Sequence, residues 1–247
     1  MYIAVLGHGT VGSGVVETIE TKNKKLSDKT PDDSIDIKYI LDLRDFPDLS
    51  YSDKFTKDFD EIINDDEVEI IVETMGGTSP AFDYTMMALQ KGKSVVSSNK
   101  ELVATKGYEL LKVAEENNAN YFFEASVGGG IPIIRPISGC LAANKIDSVS
   151  GILNGTTNFI FSKMIDDKME FESALKLAQD NGYAEKDPTD DIEGFDALRK
   201  ICILSSLCYG HHIYPEEIYC EGITKIKSED IDFANDLGYV IKLIADS

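Results

Sequence analysis

MYIAVLGHGTVGSGVVETIE, residues 1–20, decides the fold. YIAVL (2–6) is a short β-rich run. It leads straight into GHGTVG, with Gly7, Gly9 and Gly12, and then into a helical stretch reaching about Glu20. The chemistry of that spacing is specific. Gly7 permits a tight turn, Gly9 lets a pyrophosphate touch the backbone, and Gly12 lets helix and strand pack closely. The helix start offers free amides and a partial positive charge to phosphate groups. Gly7, His8, Gly9, Thr10, Val11 and Gly12 are therefore the candidate cofactor-binding loop. The competing reading is a glycine turn that serves packing alone.

Outward from this loop, strand-like and helix-like segments alternate. TKNKKLSDKTPDDS (21–34) reads as an exposed excursion. IDIKYIL (35–41) is the second strand, and EVEIIVET (67–74) a third with IIV as its buried centre. SPAFDYTMMALQKG (79–92) reads as a helix, KSVVSS (93–98) as a strand, KGYELLKVAEENN (106–118) as a helix and NYFFEAS (120–126) as a strand. Such repetition means a parallel sheet with helices on both faces. VGGGIP (127–132) breaks the pattern, which places a domain change close to residue 128. The division is then 1–128, a dinucleotide-binding domain, and 129–247, a substrate domain. Helices are expected at 131–143, 155–167, 171–181, 194–209 and 229–245, with one strand at 145–153. The chain stops after a helical run with no closing element and reads as truncated.

Composition narrows the function classes. The chain has 247 residues, enough for one large or two modest domains. Lys plus Arg is 24 against 44 for Asp plus Glu, so the net charge is −20. A pI near 4.4 leaves no basic face for nucleic acid or an anionic membrane. An anionic ligand then needs backbone amides or a few well-placed cations. The start lacks the basic region of a signal peptide, and no stretch approaches a membrane span. Cys140, Cys202, Cys208 and Cys220 form no C-x-x-C pair and read as reduced, mostly buried thiols of a cytoplasmic protein.

Three further groups can carry chemistry. The second strand ends in LDLRD: Asp42 could bond a ribose hydroxyl and indicate NAD, whereas Arg44 could pair with a 2′-phosphate and indicate NADP, with Lys57 assisting. Lys100 in SSNKELVA (97–104) sits just past a strand's C-terminal end, where open α/β sheets bind ligands. As a bland alternative it is a solvated loop lysine. GYAEKDPTDDIEGFDALRK (182–200) gathers Glu185, Asp187, Asp190, Asp191, Glu193 and Asp196 ahead of Lys200. Asp196 and Lys200 are i, i+4 and share a helix face. The cluster reads either as a dipole-complementing helix start or as a pocket for a cationic substrate group beside a proton-transferring lysine. His8 and the adjacent His211 and His212 have the wrong spacing for zinc. Cys140, in ISGCLAA, looks like a helix core position, and no nucleophile motif is present.

These blocks together resemble homoserine dehydrogenase. The resemblance runs through GHGTVG, ETMGG (73–77), SSNKELVA, FEASVGGGIPI (123–133), GILNGTTNFI (151–160), the 182–200 block and FANDLGYVIKLIA (233–245). It implies an α/β, Rossmann-type domain followed by an α+β substrate and dimerisation domain. It also implies reversible NAD(P)-dependent interconversion of L-aspartate 4-semialdehyde and L-homoserine, on the route to threonine and methionine. By the same resemblance the catalytic lysines are Lys100 and Lys200, with Asp196 supporting them and Lys100 also meeting the cofactor. The substrate-binding acids are Glu185, Asp191 and Asp196, and the NADP-selecting arginine is Arg44. A monovalent cation, Na⁺ or a relative, is implied at Glu124 and the carbonyls of Val127, Gly129 and Ile131. The all-oxygen set suits such an ion better than zinc. A homodimer is implied once the C-terminal part is present. The alternative is a dinucleotide-binding fragment or sensor with little activity.

Overall fold

The computed structural model describes residues 1–27 and 34–247 of the chain, which divides into two compact units, Met1–Ile134 and Arg135–Ser247. The division falls after Ile134 rather than at 128. The glycine run belongs with the first unit because Glu124 ties it down: its Oε1 accepts the backbone N–H groups of Ile133 (2.7 Å) and Ile134 (2.9 Å).

In the first unit, β1 (Tyr2–Leu6) leads into α1 (Thr10–Ser27), followed by β2 (Asp36–Leu41), β3 (Phe55–Thr56), α2 (Phe59–Ile63), β4 (Val68–Glu73) and α3 (Ala81–Gln90). Then come β5 (Ser94–Ser97), α4 (Lys100–Glu116), β6 (Tyr121–Phe122) and the single turn α5 (Ala125–Gly128). The excursion expected over 21–34 begins inside α1, and residues 28–33 lie outside the described ones. The strands form one sheet in the order β3-β2-β1-β4-β5-β6, every pair parallel. β1 is central and buried on both faces from Ile3 to Leu6, which is why it reads as an unbroken apolar run. Val15, Val16 and Ile19 of α1 pack on Ile3, Val5, Ile37 and Ile40 of the sheet. Strand order reverses between β1 and its two neighbours, so a crevice opens at the carboxyl ends of β1, β2 and β4.

Gly12 explains why α1 starts where it does. A Cβ on it would meet the Gly7 carbonyl oxygen at 1.9 Å and Thr74 Oγ1 at 2.8 Å. The Thr74 hydroxyl donates to the carbonyls of Leu6 and Gly7, both at 3.0 Å, and closes the turn from the β4 side.

The second unit holds a π-helical turn (Pro136–Cys140), β7 (Ser150–Gly151), α6 (Gly155–Asp166), α7 (Phe171–Asp180), α8 (Thr189–Ile192), α9 (Phe195–Tyr209), α10 (Ser228–Asp236) and β8 (Ala245–Asp246). Ile160, Phe161 and Met164 pack against Ala174, Ala178, Ile223 and Ile231 as its core. Three expectations are corrected. The helix at 131–143 shrinks to the turn at Pro136–Cys140, and Cys140 is exposed rather than a core residue: this segment turns Ile134 and Ile137 inward and leaves Ile131, Cys140 and Leu141 exposed. The strand at 145–153 is limited to Ser150–Gly151. The helix at 229–245 stops at Asp236. Gly238, at φ +77°, turns the chain; its N–H bonds the Asn235 carbonyl (2.9 Å) and that of Tyr239 the Ala234 carbonyl (2.8 Å), the C-terminal glycine stop of a helix. The residues beyond return as β8, antiparallel to β7, so the run does close on another element.

Gly12→Ala is expected to lower stability by about 1–3 kcal/mol, since the clash is with backbone that cannot step aside. Gly9→Ala, whose Cβ would have no atom within 4 Å, is the control and should melt close to the wild type. Thermal denaturation of the two variants checks both.

Candidate functional site

At the carboxyl edge of the first unit's sheet, a cavity of about 480 Å³ is lined by Gly7, His8, Gly9, Asp42, Arg44, Lys57 and Thr74, among others. Gly7, at φ +93°, makes the turn that a side chain would strain. The empty space where a Gly9 Cβ would point is the opening through which a phosphate can reach backbone. Thr10 and Val11, the first residues of α1, are exposed beside it.

The alternatives left open at Asp42 and Arg44 converge into one clamp. Asp42 Oδ1 accepts the backbone N–H of Arg44 (2.9 Å) and its Nε (3.0 Å). Asp42 Oδ2 accepts Arg44 Nη2 (2.9 Å) and the backbone N–H of His8 (2.8 Å). Arg44 Nη2 also donates to the His8 carbonyl (3.0 Å), and the guanidinium lies over the Phe46 ring at 5.2 Å. Four donors thus occupy the Asp42 carboxylate, and the Arg44 guanidinium beside it holds its carboxyl well below the usual range. The His8 ring turns away into an aromatic cluster, edge-on to Phe46 (4.7 Å) and Phe55 (5.0 Å), with Nε2 3.3 Å from the Tyr51 hydroxyl. Burial lowers its pKa. Lys57 pairs with Asp45 at 2.7 Å.

Lys100 opens α4. The preceding Asn99 caps that helix, its Oδ1 accepting the Leu102 N–H (3.1 Å), while its Nδ2 donates to the Gly77 carbonyl (2.6 Å). Ser97 donates to the wholly buried Glu73 (2.5 Å) at the end of β4. The backbone that carries Lys100 is therefore fixed against the ends of two strands. In the glycine run, Gly129 turns at φ +57° and Ile131 N–H bonds the Gly128 carbonyl at 2.9 Å. Val127 is buried there.

The second unit brings two acids of its acidic block, Asp191 and Asp196, into one network. Lys200 Nζ donates to Asp196 Oδ2 (2.8 Å) and to the Leu153 carbonyl (2.9 Å). Asp196 is nearly inaccessible, its side chain 4 % exposed against 17 % for Lys200. Asn154 Nδ2 donates to both Asp191 Oδ1 (2.6 Å) and Asp196 Oδ2 (2.9 Å). Asp187 accepts from Thr189 and Asp190 pairs with Arg199, so these two serve the local turn and helix. Glu185 is exposed; its carbonyl accepts from Gln179, and its carboxylate is not hydrogen-bonded into the network. Asn154 escaped the sequence reading as a site residue. An asparagine ahead of an apolar helical run signals a helix cap, which it is, and nothing local shows its second role. Among the described residues no cluster of three His, Cys, Asp or Glu could hold a metal ion, and no helix is long and apolar enough to cross a membrane.

The Asp42 clamp has a pH signature. A carboxyl held low in the fold adds stability above the unfolded value, about 4, and loses it as pH falls through the folded value. Arg44→Ala should therefore melt a few degrees below the wild type at neutral pH. The gap should narrow below about pH 4. Melting curves across that range check it.

Two family models match the chain: the NAD binding domain of homoserine dehydrogenase over residues 7–124, and homoserine dehydrogenase over residues 132–247. A homoserine dehydrogenase of Bacillus subtilis is 42 % identical over 245 residues, covering 98 % of this chain and 56 % of its own length. The chain thus spans about half the length of the curated relatives it matches. The crystal structure of a putative homoserine dehydrogenase from Archaeoglobus fulgidus aligns with a TM-score of 0.89 at 31 % identity, over all of this chain and 80 % of the other. A hyperthermophilic archaeal homoserine dehydrogenase in complex with NADPH aligns with a TM-score of 0.81 at 27 % identity, over all of this chain and 78 % of that one. A glycine loop at a parallel sheet's switch point, an acid–lysine network in the following unit and these matches agree: the chain belongs to the homoserine dehydrogenase family.

Proposed function

We propose that the chain interconverts L-homoserine and L-aspartate 4-semialdehyde with NADP as the preferred cofactor, as a step toward threonine and methionine in the cytoplasm. The observation that carries this reading is the state of Lys200. Two of its three ammonium N–H bonds are held by Asp196 and the Leu153 carbonyl, and the third has no partner among the described residues. A lysine fixed this way, beside a second carboxylate, can hold the proton of a reacting oxygen while the acids receive a cationic substrate end.

A bound nicotinamide dinucleotide supplies the hydride chemistry. The residues do the rest. Gly7, Gly9 and the start of α1 receive the pyrophosphate, with Gly12 keeping the helix start against the strand. Arg44 offers its guanidinium to a 2′-phosphate. Asp42, saturated by four donors, has little left for a ribose diol, which favours NADP over NAD. Asp191 and Asp196, with exposed Glu185, accept the substrate ammonium, and Lys200 meets its oxygen. The family resemblance gives the second lysine role to Lys100. It also gives Na⁺ or a similar cation to Glu124 and the carbonyls of Val127, Gly129 and Ile131. The loop supports that assignment in its oxygen-only donors and in the pinning of Glu124 by two amides. The ion would supply a fixed positive charge there. A homodimer fits exposed Phe233, Leu237, Tyr239 and Val240 on the second unit, an apolar stretch of the kind subunit contacts cover.

The experiment is steady-state reduction of NADP⁺ dependent on L-homoserine. Lys200→Ala and Lys100→Ala should each lower turnover by about 10²–10⁴-fold with cofactor affinity little changed. Near-normal turnover in either removes that lysine from the mechanism. Glu185→Gln loses one charge-assisted hydrogen bond, roughly 1.5–3 kcal/mol, and should raise KM for homoserine about tenfold to a hundredfold. An equal loss on an analogue lacking the amino group would show that Glu185 does not read the ammonium.

A further inference from the structure

We infer that Asn154 is a positioning residue of the reaction: its amide sets the spacing of Asp191 and Asp196 and, through Asp196, the place of Lys200 Nζ. This goes beyond the proposed function and rests on its reading of Lys200.

The orientation of the amide is determined by its other end. Asn154 Oδ1 accepts both the backbone N–H of Thr157 (2.8 Å) and the Thr157 hydroxyl (2.9 Å). An oxygen at those donors turns the NH₂ group the opposite way, toward the acids. Its two hydrogens are then divided, one to Asp191 Oδ1 and one to Asp196 Oδ2. The two carboxylates come from different helices, α8 and α9, separated by Gly194 at φ +85°. No single helix fixes their distance, and as like charges they repel. A neutral double donor bridges them without cancelling either charge. A lysine in its place would neutralise the pocket, and an aspartate would add a third negative charge.

The same step of chain also seats the lysine. Lys200 Nζ shares Asp196 Oδ2 with Asn154, and its second bond goes to the carbonyl of Leu153, the residue immediately before. Leu153 and Asn154 thus supply one direct and one relayed constraint on a single nitrogen, and Asn154 is itself buried. Helix capping alone does not require asparagine here, because serine, threonine and aspartate cap as well. Among these only asparagine brings two further donors.

That difference defines the test. Asn154→Ser and Asn154→Asp keep a capping oxygen for Thr157 and lose the paired donors; Asn154→Ala loses both. The intact chain, with NADP⁺ and L-homoserine, is measured for turnover, for KM of each substrate, for melting temperature and, by calorimetry, for homoserine binding. Asn154→Ser should melt within about 2 °C of the wild type. Its turnover should fall on the order of tenfold to a hundredfold, with KM for homoserine raised and KM for NADP⁺ unchanged. Asn154→Asp should lose at least as much turnover. If Asn154→Ser turns over like the wild type while Asn154→Ala only melts earlier, Asn154 is a helix cap and the inference is overturned alone. If the wild type neither binds nor oxidises homoserine, the proposed function falls and this inference falls with it.

Discussion

The close approach of Gly12 to the Gly7 carbonyl is the constraint on which the first unit depends. A side chain at residue 12 would overlap that oxygen, so only glycine lets α1 begin directly above the end of β1. The contact aims the helix's unpaired amides and its positive end into the crevice where strand order reverses. Everything else at this edge is built around it. Thr74 locks the turn from β4, and Asp42 locks it from β2 through the His8 N–H. A chain whose net charge is −20 must bind an anionic cofactor against its own field. The groups at this edge that can offset that field are the backbone dipoles at the start of α1 and Arg44, held by the saturated Asp42 carboxylate.

The second unit gathers negative charge in one place, joining Asp191 and Asp196 through Asn154. Asp196 is buried and would cost stability if left uncompensated. Lys200 and Asn154 compensate it on one oxygen, and the same arrangement fixes the lysine. Buried ion pairs contribute little net stability, so the geometry is better understood as organisation of the site than as reinforcement of the fold.

Much of this was legible in the sequence because it is local. The glycine loop is a short-range steric pattern, and the parallel sheet follows from alternating strand and helix segments. The helices at Gly155–Asp166, Phe171–Asp180 and Phe195–Tyr209 lie within a residue or two of their expected places. The i, i+4 pair Asp196–Lys200 follows from helical periodicity. What escaped was tertiary. Whether Asp42 or Arg44 faces a ligand depends on four hydrogen bonds that spacing does not reveal. The helix expected at 229–245 was misjudged because apolar residues continue past Gly238, although that glycine ends the helix. Cys140 was placed in a core because its neighbours are apolar, yet in this segment Ile134 and Ile137 are buried and Cys140 is exposed. Asn154 carries a local signal for its cap and none for Asp191, which lies 37 positions away in the chain.

In the proposed function, the loop at residues 7–12 and the Asp42–Arg44 clamp receive a dinucleotide bearing a 2′-phosphate. The most direct measurement is titration of the chain with NADPH and with NADH, followed by the fluorescence of the nicotinamide ring. With Arg44 on the 2′-phosphate, NADPH is expected to bind at least about tenfold more tightly, as one added charge-assisted contact implies, and Arg44→Ala to abolish the difference. Equal affinities in the wild type, or a preference for NADPH that survives Arg44→Ala, would contradict that role of Arg44.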